Sequence, residues 1–197
     1  MTLLTGLLLP LQFLNDHVLR IGRGIAVMAM ALMVLVILLQ VFCRYVLNNA
    51  LPWPDEAARF LMLWMTGLIA GSAYRRGGFV AIDMLEQALP RRVSAVLSLF
   101  LLIVSLVVLV IAIQLGWKHV NSGWLFASSS LKIPLAVIGL KTIKIKLAWM
   151  YMSLFVGVVI LTAVNIELIL RSLITLGGRG DELRPIPTGE TATGGSE

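Results

Sequence analysis

The sequence predicts an all-α integral membrane protein, with four transmembrane helices and short interfacial amphipathic helices. Three observations carry this. The 197 residues are 59% hydrophobic and only 13% charged, with a mean hydropathy of +0.95. A soluble domain of this length cannot hide so much apolar surface. Three uncharged runs, Gly24 to Cys43, Val93 to Trp117 and Leu147 to Ile166, each hold 20 to 25 residues. About 20 apolar residues suffice to cross a hydrocarbon core of ~30 Å. The 16 Lys and Arg residues stand at the ends of apolar runs. That distribution marks membrane interfaces and orientation rather than a nucleic-acid surface.

The N-terminal segment, 1–22, repeats Leu4, Leu7, Leu8, Leu11, Leu14, Val18 and Leu19 at helical spacing. No basic stretch precedes it and no A-x-A-like cleavage site follows. It reads as an interfacial amphipathic helix, broken or bent near Pro10, rather than as a cleaved signal. The membrane domain follows at 23–176. Its first span, about 24–43, has Gln40 as its one strongly polar side chain.

The second span, about 57–74, is short. Only the 15 residues Phe60 to Tyr74 separate Arg59 from Arg75, about 22 Å of helix. Including Ala57 and Ala58, with Arg59 snorkelling, brings it near a full crossing. Residues 75–92 carry Val80, Ile82, Leu85 and Leu89 among polar groups and predict a short interfacial helix. The third span is about 93–117. The connector 117–146 contains Pro134, which interrupts any helix, and brings Lys141, Lys144 and Lys146 before the fourth span, about 147–167. The tail, 177–197, is rich in Gly, Pro and Thr without apolar periodicity, a composition that predicts disorder. An even number of spans puts both termini on one side. That side would hold nine basic residues against seven, which favours cytoplasmic termini.

The residue inventory excludes several chemistries. His17 and His119 lie outside the spans or at their ends, so no bis-histidine haem is anchored. One cysteine, Cys43, allows neither an intrachain disulfide nor a multi-cysteine metal site. No phosphate loop and no nucleophile–base pair is evident, so the expectation is no catalysis, no metal and no cofactor. A proton-coupled drug antiporter needs an ionisable group deep in the membrane. Glu56 and Glu167 stand at span edges, and no span has an acid in its middle.

The densest charge lies in FCRYVLNNALPWPDEAARFLMLWM, residues 42–65. Pro54 suits a helix start, and Asp55 and Glu56 complement the partial positive charge of a first helical turn. Glu56 and Arg59 share a helix face and can pair, with Arg44 joining if the hairpin closes. Together with Trp53, these residues read as an interfacial cluster that fixes the hairpin, as a contact point with a partner subunit, or as both. Gly67 and Gly71 form a G-x-x-x-G face for close helix packing, within the bundle or against a partner.

This region resembles the small membrane subunit, the DctQ-like small permease, of tripartite ATP-independent periplasmic (TRAP) transporters. The matching residues are Phe42, Arg44 and Tyr45; Leu51 and Trp53; Glu56 and Arg59; Gly67 or Gly71; and Ile82 with Asp83. Phe79 stands where members often carry histidine, and LAVIGLKTIKIK looks like an insertion before the fourth span.

The resemblance implies a non-catalytic scaffold in the bacterial inner membrane, with both termini cytoplasmic. It implies a stable partnership with a large elevator-type subunit and transient contact with a periplasmic substrate-binding protein. The complex would take up an organic acid or similar small solute, driven by sodium. Membrane lipid is the other expected partner, and nucleic acid is not one. The alternatives are a self-contained four-helix small transporter, or an anchor subunit of another complex.

Overall fold

The computed structural model describes residues 2–49, 51–76, 91–133 and 143–177. They form four helices: α1 (Thr2–Tyr45), α2 (Pro54–Arg75), α3 (Arg91–Gly123) and α4 (Ala148–Leu176). One hairpin, β1 (Ala127–Ile133) with β2 (Ile143–Lys146), lies between α3 and α4. Each predicted span falls inside one helix, apart from Leu147. Of the interfacial helix predicted over 75–92, residues 77–90, including Ile82 and Asp83, lie outside the described residues. So do the middle of the connector, including Pro134, and the tail from residue 178.

Helix α1 runs for 44 residues, about 66 Å. The expected break at Pro10 does not occur: the helix continues through it. Proline removes a single backbone bond there, while Leu8 and Gln12, on either side, are both buried. The inner positions of α1 run from Leu8 through Gln12, Asn15, Leu19, Gly22 and Ala26 to Cys43, in alternating steps of four and three. That 3.5-residue period is a coiled-coil seam. It leaves most of the helix circumference apolar and exposed, including Phe13, Met28 and Leu35. Past Tyr45, Asn48 takes a left-handed φ of 48°, which asparagine tolerates. Asn49 N–H then caps the Cys43 carbonyl at 3.0 Å.

Helices α1, α3 and α4 are each long and apolar enough to cross a membrane. Helix α2, at 22 residues, is long enough, but Asp55, Glu56, Arg59 and Arg75 leave it a short apolar stretch. It begins as its sequence predicts. The Trp53 carbonyl accepts Ala57 N–H at 3.0 Å, and Pro54 is buried at the first helical position, where its missing N–H costs nothing.

The hairpin is the exception to an all-α fold. Its strands are antiparallel, with Ile133 opposite Ile143 and Lys132 opposite Lys144, and an irregularity between Ala127 and Lys132. Sequence reading assigned no strand here. The alternation in IKIK is the period-2 signal, but four residues are too few to weigh against a loop.

The helices contribute to two compact units. One comprises Met1–Arg20, Ala70–Ile111 and Val159–Glu197; the other comprises Ile21–Ile69 and Ala112–Val158. In the first, Leu19 of α1 and Ile160 of α4 both press on Gly71, and Tyr74 of α2 meets Ser105 of α3 at 3.2 Å. In the second, Gly22 of α1 lies against Leu68 of α2. There α3 approaches α4 at two glycines, Gly116 against Phe155 and Gly123 against Ala148.

Candidate functional site

The first unit holds a buried ionic cluster built from three helices. Arg75, the last residue of α2, is 7% exposed, and Glu167 of α4 is 0% exposed. Arg75 donates through Nη2 (2.7 Å) and Nε (3.2 Å) to Glu167 Oε1. Its Nη1 reaches Asp16 of α1, a half-exposed carboxylate. Asn15 Nδ2 donates to the other oxygen of Glu167 at 2.7 Å and to the Ala163 carbonyl at 3.3 Å. Arg171, one turn along α4, donates to Glu167 Oε1 at 3.2 Å. A Glu placed four residues before an Arg is the favourable order on a helix.

Two guanidiniums therefore balance two carboxylates. Desolvating an ion costs several kcal/mol, and only close pairing with further hydrogen bonds offsets it. Glu167 has both, on both oxygens. One turn away, Asn165 Nδ2 donates to the Tyr74 hydroxyl, which also contacts Ser105. The cluster ties α1, α2 and α4 together, and the Tyr74 contact adds α3.

Glu167 is expected at the edge of a span; the fold buries it completely among the other helices. It looks terminal because it follows the charge-free run Leu147 to Ile166, and Arg75 looks terminal because Arg76 stands beside it. In the fold α4 continues nine residues past Glu167, to Leu176, and burial comes from the other helices. A buried acid is what a proton antiporter requires. Here, however, Arg75 and Arg171 cover it with positive charge, and Asn15 takes the remaining oxygen. The chemistry is that of a clamp.

In the second unit, α2 and α4 make a glycine crossing. A Cβ on Gly67 would run into the Ser153 carbonyl, and one on Gly157 would stand 2.8 Å from Gly67 Cα. Gly67 and Gly71 therefore both pack against elements of this same chain. The sequence marks the two glycines of α2 at once; the facing pair, Ser153 and Gly157, is also four apart, a weaker small-x-x-x-small signal.

The residues expected to form the hairpin cluster are placed as follows. Arg44, Trp53, Asp55 and Arg59 are exposed, as is Tyr45. Neither Arg44 nor Arg59 forms an ion pair among the described residues. Glu56 is half-buried, and its Oε1 accepts a hydrogen bond from Ser128 Oγ at 2.5 Å. It thereby tethers the start of β1 to the first turn of α2, a contact 72 residues apart in sequence that spacing does not announce. Ser128→Ala should release this tether. Amide exchange across Ala127–Lys146 should then rise about tenfold, corresponding to the ~1.5 kcal/mol of a hydrogen bond to a charged group. Unchanged exchange would mean that the hairpin is held by other contacts.

The family model for tripartite ATP-independent periplasmic transporters, DctQ component, matches residues 33–175. The chain is also 29% identical over 170 residues to the sialic acid TRAP transporter small permease protein SiaQ of Vibrio cholerae serotype O1. That alignment covers 86% of this chain and 91% of the relative.

Proposed function

Because the chain belongs to the DctQ component family of the tripartite ATP-independent periplasmic transporters, we propose that it is the non-catalytic scaffold which braces a large elevator-type subunit in the inner membrane. The protein is an integral membrane protein and the small subunit of a TRAP transporter. The scaffold role rests most on one observation. The clamp at Glu167 and the crossing at Gly67 use polar and small residues for contacts inside the chain, while α1 and α3 keep long exposed apolar faces, among them Val104, Val108 and Ile111. Helices tied by internal contacts, with broad apolar flanks, suit a part that holds a moving neighbour.

Four crossings are part of this reading. Helix α2 runs antiparallel to α1, because Leu19 meets Gly71 and Asp16 meets Arg75. It runs parallel to α4, because Gly71 meets Ile160 and Arg75 meets Glu167. If α1 and α4 each cross, α2 returns the chain between them. Both termini are then on one side, the cytoplasmic side by the charge count.

A periplasmic binding protein would deliver the solute, an organic acid of the kind named in the sialic acid relative, and sodium would drive uptake through the large subunit. Trp53, Asp55, Glu56 and Arg59 would face the periplasm, where that protein docks. Mild-detergent purification of the tagged chain from its native membrane should recover a large many-helix protein in stoichiometric amount. Recovery of the chain alone, from membranes that contain such a protein, would instead favour a self-contained transporter.

A further inference from the structure

The turn that leaves α3 places three large apolar side chains in a row: Trp124, Leu125 and Phe126. Leu125 is 83% exposed and Phe126 60%. The turn is held in place rather than loose. Trp124, Leu125 and Phe126 N–H groups donate to the carbonyls of Asn121, Ser122 and Gly123 at 3.1 to 3.4 Å, and the Phe126 carbonyl accepts Leu147 N–H at 3.1 Å. Lys146 Nζ lies 5.0 Å from the centre of the Trp124 ring, within cation–π range. Trp117 and Lys118 are exposed near the end of α3, and Trp149 is exposed in the first turn of α4.

These residues belong to one compact unit, whose segments Ile21–Ile69 and Ala112–Val158 carry eight basic residues against two acids, Asp55 and Glu56. A rigid apolar wedge does not face water without cause. Here it stands where α3 ends and α4 begins, and the adjoining turns carry exposed Trp117, Lys118 and Trp149, the residue types of a bilayer interface.

We infer that this turn is a seat for an anionic phospholipid. Leu125 and Phe126 enter the acyl boundary, Trp124 lies at the level of the glycerol, and Lys146, oriented by the Trp124 ring, meets the phosphate. Lys118 adds attraction. Charge selects the anionic lipid, and the wedge selects a lipid over an acidic protein surface, which would gain nothing from Leu125 and Phe126. The inference depends on the chain being in a membrane, not on its role in transport.

The test is tryptophan quenching in the full chain, reconstituted in nanodiscs of brominated-chain phosphatidylcholine or phosphatidylglycerol. The signal of Trp124 is the difference between the chain and its Trp124→Phe variant, which keeps an aromatic ring. The expected result is quenching of Trp124 at lower lipid fraction with phosphatidylglycerol. That preference should fall about fivefold in Lys146→Gln, the contribution of one lysine near an anionic surface. Equal quenching by the two lipids, or a preference unmoved by Lys146→Gln, would overturn the headgroup site in favour of a non-selective anchor. Absence of quenching by either brominated lipid would overturn the wedge, and protection of Trp124 only on adding a partner protein would make the turn a protein-docking surface.

Discussion

Glu167→Leu should destabilise the isolated chain by about 3–5 kcal/mol, the cost of leaving a buried charge without its partner. The substitution removes the group to which Arg75, Arg171 and Asn15 all donate. Arg75, 7% exposed, would keep only the half-exposed Asp16. Thermal unfolding followed by size-exclusion chromatography in detergent measures this directly. The informative companion is the double variant Arg75→Leu with Glu167→Leu. Replacing both members of a buried pair is often near neutral, whereas removing one is not. The double variant should therefore recover much of the loss. If the single variant melts with the parent chain, the cluster does not hold the helices together.

Gly67→Leu should disrupt the chain's own packing before any partner is involved. Even a methyl at this position meets the Ser153 carbonyl, and backbone cannot swing aside as a side-chain tip can. Forcing extra carbons into a packed contact costs typically 1–3 kcal/mol, and about the upper end is expected here. Gly157→Ala should act in the same direction through Gly67 Cα. Gly24→Ala is the control: its Cβ would meet nothing within 4 Å, and alanine favours a helix over glycine by about 0.5–1 kcal/mol. Gly67→Leu with unchanged melting, but with loss of a co-purifying subunit, would show instead that this face serves the partner.

Helices α1, α3 and α4 are legible in the sequence because long uncharged runs declare themselves by length. The sequence also marked the special faces of α2, since glycines four apart at 67 and 71 have a clear physical use. It did not tell which helix covers them. Spacing describes one helix at a time, and Gly157 comes from another 90 residues away.

The ionic cluster was hidden for a related reason. Arg75 sits beside Arg76 and Glu167 lies near the end of a charge-free run, so each looks like an interface marker. The readable clues are Asn15, a polar residue at a seam position of α1, and the Glu167–Arg171 spacing. The β-hairpin is not legible because IKIK is only four residues long and its partner, ASSSLKI, does not alternate through its three serines; the two become strands only by pairing.

The distribution of contacts along the chain also sets an order of events during synthesis. Helix α4 supplies Glu167 and Asn165 to the polar network, Ser153 and Gly157 to the glycine crossing, and Phe155 and Ala148 to the approach of α3. Among the described residues it follows the other three helices in the chain, so it leaves the ribosome after them. Until it enters the bilayer, Arg75 has Asp16 but not Glu167, Asn15 lacks its carboxylate, and the groove beside Gly67 has nothing to receive. A nascent chain that ends before α4 is thus incompletely paired, and the arrival of α4 supplies the missing partners. Membrane quality-control proteases that recognise unpaired polar groups would discriminate the finished subunit from a truncated one at that step.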